Sequence, residues 1–301
     1  MPQIHANGIK LEYEIVGDAG AEPLLAIMGL GAQMTRWPLE FRRRLANRGF
    51  RVVSFDNRDV GLSEKIEAAG APDLGAVVKA LSEGRRPQVA YTLAEMAADA
   101  AGLLEALDVE RAHVVGASMG GMIAQLVAAD HPERVLSLTS IMSSTGNPAL
   151  PRATPEASAV LAERGPDPHQ DLEAFLAHSV RSARTIGSPA YPQDEAALRE
   201  RALTDFRRSF YPVGFQRQYA AIMASPDRRP KLAGIKAPAM VVHGEADPLV
   251  PVAGGRDTAQ NIPGAELRII PGMGHDLPPA LYDEIIDAIA AVAARARTPA
   301  A

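Results

Sequence analysis

The sequence predicts an α/β fold, a parallel sheet wrapped by helices with a helical cap inserted before the last strands. Three observations lead there. Short unbroken apolar runs, of the kind that suits strands buried on both faces, alternate with segments of helical apolar spacing. A hairpin pattern opens the chain. One long stretch, Ser143 to Pro238, interrupts the alternation with Pro, Arg, Ala and Glu and shows no buried strand pattern.

Ile4 to Ala6 and Leu11 to Val16 alternate around Asn7-Gly8, a dipeptide that favours a tight hairpin turn. After a turn over Gly17 to Pro23, the apolar run Leu24 to Met28 reads as a strand, as do Val52 to Phe55 and Ala112 to Val115. Between them, Trp37 to Asn47 and Leu93 to Leu107 carry the apolar spacing of helices, and Thr92 with Glu95 forms a capping box before the second. Met119 to Ala129 follows as helix, Val135 to Met142 as strand, Ala239 to His243 as strand, Gly255 to Asn261 as helix, Leu267 to Ile270 as strand and Pro279 to Ala294 as helix. Strands joined through helices in this way pair in parallel. The expected division is a core of residues 1–143 and 231–301 and a helical cap of residues 144–230. The Ala and Arg tail after Ala290 reads as a fraying helix end.

With 301 residues, 47% apolar and 22% charged, the chain is long enough to bury a full core, so disorder is not expected. A net charge of −5 and no basic run interleaved with aromatics argue against nucleic acid as a partner. Arg42, Arg43 and Arg44 form the densest basic patch; beside Phe41 and Leu45 they read as a solvated helix face. The absence of cysteine excludes a thiol nucleophile, a disulfide framework and a thiolate metal site. No His and carboxylate spacing matches a recognised ligand motif, so neither a metal nor a cofactor is expected. No apolar stretch approaches the roughly 18 residues of a membrane helix, and the first ten residues lack a leader pattern; a soluble, cytoplasmic protein is the expectation.

The chemistry starts at Gly116-Ala117-Ser118-Met119-Gly120, a GxSxG motif placed directly after a buried strand and directly before a helix. A nucleophile held on a sharp strand-to-helix turn needs small neighbours, and Gly116 and Gly120 leave room for the strained backbone that pushes the Ser118 hydroxyl into the open. A serine hydroxyl needs a base within hydrogen-bond reach and an acid that holds the base in the right tautomer. His275 lies in a glycine-rich loop after the last strand, at the carboxyl end where open α/β sheets build their sites. The other histidines sit in strands, at a helix end, in the cap or in the opening hairpin, and His243, which closes a strand, is the only rival. Asp247 follows that strand in His-Gly-Glu-Ala-Asp-Pro and is the expected orienting acid; Glu245 is its competitor, and Asp276 adjoins the base too closely. The tetrahedral intermediate also needs backbone donors. The N–H of Met119 is one candidate, and Leu30, in the loop Met28-Gly-Leu-Gly, is the other.

At these residues the chain resembles the α/β-hydrolase superfamily over essentially its whole length, most of all its aclacinomycin methylesterase-type carboxylesterases. The segments that carry the likeness are Met28-Gly-Leu-Gly31 with Trp37-Pro38, Phe55 to Ser63, His113 to Gly120, and Pro271-Gly-Met-Gly-His275. The resemblance implies an eight-stranded, mostly parallel sheet, a helical cap over the site, and hydrolysis of a carboxylic ester or lactone through an acyl-enzyme on Ser118, His275 and Asp247. It is shared by enol-lactonases, cofactor-free haloperoxidases and carbon-carbon bond hydrolases; perhydrolysis or acyl transfer on the same triad and a ligand receptor without turnover are further readings. Met28 stands where many relatives have His. Ser118, rather than Asp, argues against dehalogenation and epoxide opening, and the lack of a Gly-Gly-Gly loop argues against esters of tertiary alcohols. The turn Asp56-Asn57-Arg58-Asp59 is expected to satisfy itself through local bonding and an Arg pair that braces neighbouring loops. Met34, Met142, Phe210, Tyr211, Tyr219, Leu249 and Leu277 are candidate pocket residues. Phe175, Phe206 and Phe215 join the cap aromatics, which at helical spacing read first as cap core.

Overall fold

The computed structural model describes residues 2–163 and 165–297. Met1 of the expected core, Arg164 of the expected cap and residues 298–301 of the expected tail lie outside the described residues. In chain order the elements are β1 (Gln3–Ala6), β2 (Ile9–Val16), β3 (Glu22–Ile27), α1 (Leu39–Asn47), β4 (Phe50–Phe55), α2 (Leu74–Ser82), α3 (Leu93–Ala106), β5 (Ala112–Ala117), α4 (Met119–Asp130) and β6 (Val135–Ile141). Among the described residues five helices then intervene: α5 (Pro155–Ala162), α6 (Leu172–Ile186), α7 (Glu195–Arg208), α8 (Pro212–Met223) and α9 (Arg229–Leu232). The alternation resumes with β7 (Ala239–Gly244), α10 (Ala253–Asn261), β8 (Glu266–Ile270) and α11 (Tyr282–Arg297).

The sheet runs β1-β2-β4-β3-β5-β6-β7-β8. β2 is antiparallel to β1 and to β4, and every pair from β4 onward is parallel. Asn7 and Gly8 turn the opening hairpin with φ of 49° and 80°, the left-handed pair that a tight two-residue turn requires. From β3 the chain crosses to β4 on one side, and from β5 it crosses to β6 on the other. The crevice between the carboxyl ends of β3 and β5 is therefore the topological switch point, where sites on such sheets form.

Side chains alternate along each central strand and both faces are covered, which is why the strands read as continuous apolar runs. Leu25, Ile27 and Val114 pack with Leu93, Met96 and Leu103 of α3 and Ile123 and Val127 of α4. Leu24, Ala26 and Val115 face the other way, onto Phe41 and Leu45 of α1 and Ile285 and Ile289 of α11. Each such fully buried aliphatic side chain contributes about 1.5–3 kcal/mol.

Several expectations need correction. Arg42 is not on a solvated face: it is buried, donating to the Trp37 carbonyl at 2.9 Å, to Ser54 Oγ at 3.1 Å and to Glu14 Oε2 at 2.5 Å, and so ties α1 to the sheet. The helix expected from Trp37 starts at Leu39, because Pro38 stands extended at its N-cap after a short 3-10 turn, Met34–Arg36. The tail after Ala290 does not fray as far as it is described: α11 runs to Arg297, whose guanidinium pairs with Glu22. The sequence pattern did not point to α2.

The turn Asp56–Asp59 is satisfied well beyond its own residues. Asp56 accepts from the Met34 and Leu62 N–H groups and from Arg208 of α7, while Arg58 makes a two-pronged pair with Asp99 of α3 at 2.6 and 2.7 Å. Asp59 accepts both prongs of Arg217 of α8 at 2.7 Å, together with the Tyr91 hydroxyl and the Ile66 N–H. The helices between β6 and β7 are thus bolted to the sheet through this turn.

Candidate active site

Ser118 sits between β5 and α4 with φ 57° and ψ −122°, a conformation that costs a non-glycine residue about 1–3 kcal/mol. The flanking glycines make it attainable. A Cβ on Gly116 would lie 2.0 Å from the Gly120 carbonyl oxygen, and one on Gly120 would lie 2.1 Å from that of Ile27. The Ser118 N–H is held by the Ile141 carbonyl at 2.9 Å, so the elbow is built into the β5–β6 edge.

Three loops at strand carboxyl ends meet here. Ser118 Oγ lies 2.9 Å from His275 Nε2, and His275 Nδ1 lies 2.7 Å from Asp247 Oδ2. A carboxylate accepts only, so Nδ1 carries the proton and Nε2 presents its lone pair to the serine hydroxyl. The other Asp247 oxygen accepts the N–H groups of Leu249 and Val250 at 2.9 and 2.8 Å, which hold the carboxylate in place. The competitors lie close by but are engaged differently: His243 Nε2 is 3.6 Å from Asp247 Oδ2 and Asp276 lines the same cavity as Ser118. His243 is fully buried, its Nε2 donating to the Val250 carbonyl at 2.7 Å, and burial pushes its pKa below the usual histidine range. Glu245 is exposed. Asp276 accepts from Ser188 and from Gln193 Nε2, both on the segment between α6 and α7.

The Met119 N–H belongs to the first turn of α4, where no intrahelical carbonyl is available to it. Facing it across Ser118 is the loop after β3. A Cβ on Gly29 would lie 3.1 Å from Ser118 Cβ, so this loop passes directly over Ser118 and carries Leu30 with it. Asn57 Nδ2 holds the Met28 carbonyl at 2.9 Å, and Gln218 Oε1 accepts the Gly31 N–H at 2.8 Å.

Ser118 and His275 open onto a cavity of about 410 Å³ between the sheet and the inserted helices. Met142, Tyr219, Leu249 and Leu277 are on its wall, with Met122, Val160, Ile186, Phe215 and Ile222. Met34 is not: it is fully buried under the loop, its N–H bonded to Asp56. Phe210 and Tyr211 are not on that wall: they line an adjoining cavity of about 270 Å³, walled also by Phe175 and Phe206, which shares Arg36 and Phe215 with the first. Phe175, Phe206 and Phe210 stack edge to face or tilted with centroids 5.9 Å apart. Sequence reasoning also missed two arginines in the apolar wall of the first cavity, Arg36 and Arg201. Arg36 pairs with Asp205. Arg201 donates to Gln193 at 3.1 Å, and burial, aided by Arg36, brings its pKa down to about 10. Neither stood in a recognisable motif, and only the packing of α7 brings Arg201 to the site.

Among the described residues no three His, Asp or Glu side chains gather as a metal ion would require, and no helix is long and apolar enough to cross a membrane. The family model for the alpha/beta hydrolase fold matches residues 22–278. Rhodomycin D methylesterase DauP of Streptomyces sp. (strain C5) is 30% identical, over 96% of each chain. A 2-hydroxy-6-oxononadienedioate/2-hydroxy-6-oxononatrienedioate hydrolase of Burkholderia vietnamiensis is 30% identical over 89% of this chain and 85% of its own. The enol-lactonase of Burkholderia xenovorans LB400 superimposes with a TM-score of 0.72 at 22% identity, covering 97% of this chain and 99% of its own.

Proposed function

For a chain that belongs to the alpha/beta hydrolase fold family, we propose a serine esterase that cleaves carboxylic esters of small to medium acyl groups or methyl esters, or lactones, through an acyl-enzyme. The observation that carries the reading is the continuous relay Asp247, His275, Ser118 with spacings of 2.7 and 2.9 Å at the floor of an apolar cavity. The methylesterase likeness supports the choice of ester.

Ser118 Oγ attacks the substrate carbonyl while His275 Nε2 takes its proton, and Asp247 stabilises the imidazolium without itself becoming protonated. The carbonyl oxygen, now an oxyanion, is met by the N–H groups of Leu30 and Met119, each worth about 3–4 kcal/mol if removed. Collapse expels the alkoxide, which takes the proton from His275. Water then enters, gives a proton to the same nitrogen and releases the acid by the reverse sequence. Residues 144–230 act as a cap that shapes the cavity and excludes bulk water from the acyl-enzyme.

The test is hydrolysis of para-nitrophenyl acetate, para-nitrophenyl butyrate and a panel of methyl esters and lactones by the parent and Ser118→Ala. The parent is expected to release acid stoichiometrically with alcohol, and Ser118→Ala to lose at least about a thousandfold in kcat. Residual activity within tenfold of the parent would refute the role of Ser118.

A further inference from the structure

The loop that carries Leu30 is held from above as well as from below. Asn57 anchors its first carbonyl from the sheet side, but the peptide after Leu30 is held by a residue of the inserted helices. Gln218, in the middle of α8, is fully buried. Its Oε1 accepts the Gly31 N–H at 2.8 Å and its Nε2 donates to the Arg58 carbonyl at 2.8 Å. One amide therefore links the loop after β3 to the turn after β4. The neighbouring Arg217, paired with Asp59, fixes the register of α8 that makes this reach possible.

We infer that Gln218 is a positioning residue for the oxyanion hole, which couples the seating of the cap to the direction of the Leu30 N–H; this rests on the serine hydrolase reading above. The Gly31 N–H and the Leu30 N–H lie on successive peptides separated only by the φ and ψ of Leu30. Gly31 holds φ 64° and contributes no side chain to resist rotation. Without an acceptor at the Gly31 N–H, the loop is free to turn about this point, and the donor leaves the line of the developing oxyanion.

The site demands glutamine in particular, because it must accept on one side and donate on the other. An ionised glutamate would satisfy Gly31 but set an anion against the Arg58 carbonyl. Only a protonated glutamate reproduces both bonds, and burial together with that carbonyl raises its pKa. The charged groups nearby keep their charge across this range, Arg58 and Arg217 being held above their ordinary values and Asp59 below its own, and each guanidinium is already paired with a carboxylate, Arg58 with Asp99 and Arg217 with Asp59.

The experiment is steady-state kinetics of the parent, Gln218→Glu and Gln218→Met on a para-nitrophenyl ester between pH 6 and 9, with rates of fluorophosphonate labelling and thermal midpoints alongside. Removing an oxyanion donor outright costs about a hundred- to a thousandfold in kcat, so displacing one is expected to cost about ten- to a hundredfold. Gln218→Met should show that loss in kcat and in labelling rate with KM within about threefold. Gln218→Glu should approach the parent at pH 6 and fall away toward pH 9, as a ratio to the parent at each pH. If Gln218→Met fails to fold, the pH profile of the Glu variant carries the test: near the parent at pH 6, where its bonds are restored, it should lose kcat toward pH 9, and a flat ratio to the parent would overturn the inference. A parent that turns over ester while both variants keep its kcat at every pH would overturn the inference and leave the hydrolase reading standing; a parent without turnover or labelling would overturn both.

Discussion

Replacing Arg217 by Met removes the guanidinium that pins α8 to the sheet while keeping most of the side chain's bulk. Arg217 is 2% exposed and Asp59 is fully buried. Their pair is two-pronged at 2.7 Å, and Arg217 also donates to the Gly70 carbonyl at 2.7 Å and to the Tyr211 hydroxyl at 2.8 Å. Removing one partner of a buried pair costs about 3–5 kcal/mol, because the remaining charge is left without its counterion. Against a total stability of about 5–15 kcal/mol this is a large fraction. With a urea m-value of about 3 kcal/mol/M, the midpoint should fall by about 1–1.7 M. Adding Asp59→Asn should give back part of the loss, so the double variant is more stable than the sum of the single effects predicts. The assay is urea unfolding followed by circular dichroism on the parent, the two single variants and the double variant. Additive single effects, or an Arg217→Met loss below about 1 kcal/mol, would refute the reasoning.

The remaining predictions concern the relay, pH and substrate range. Asp247→Asn leaves packing intact but offers His275 an amide that can favour the wrong tautomer, so kcat should drop by about 10⁴ with little change in unfolding midpoint; a loss under tenfold contradicts the role of Asp247. Burial holds the buried His243 and His113 below the usual histidine pKa of 6.5. The unfolded chain therefore binds more protons there than the folded one, and their contribution is full above pH 6.5 and fades as pH falls through the folded values. The thermal midpoint should accordingly decline between pH 7 and 5, and His243→Gln should flatten that decline; an equally steep decline in the variant argues against it. Turnover of tert-butyl acetate should be at least a hundredfold below that of ethyl acetate, checked by acid release, and comparable rates contradict the reading of the loop after β3.

Local pattern made the candidate nucleophile and its two candidate partners legible in the sequence. Ser118 stands out because Gly116 and Gly120 flank it between an apolar run and a helical one, and Asp247 and His275 because each closes a strand in a loop rich in small residues. Parallel strands then bring such loops to one edge, which is why three segments far apart in sequence meet within 2.9 Å. Features that depend on contacts between distant segments stayed hidden. Arg42 looks solvated beside Arg43 and Arg44 until β2 supplies Glu14 and the sheet supplies Ser54. Phe210 and Tyr211 share the aromatic character of Tyr219, but they fall in the break between α7 and α8 and line the adjoining cavity. Gln218 had no signal at all: a lone glutamine on a helix is indistinguishable from a surface residue until both its partners are in place.

Whether Ser118 is an activated nucleophile is read out by mass spectrometry of the intact protein after incubation with a fluorophosphonate. The parent should gain the mass of one phosphonyl adduct, mapped to the peptide that contains Ser118, and Ser118→Ala should gain none. An unlabelled parent, or equal labelling of the parent and Ser118→Ala, would contradict the account.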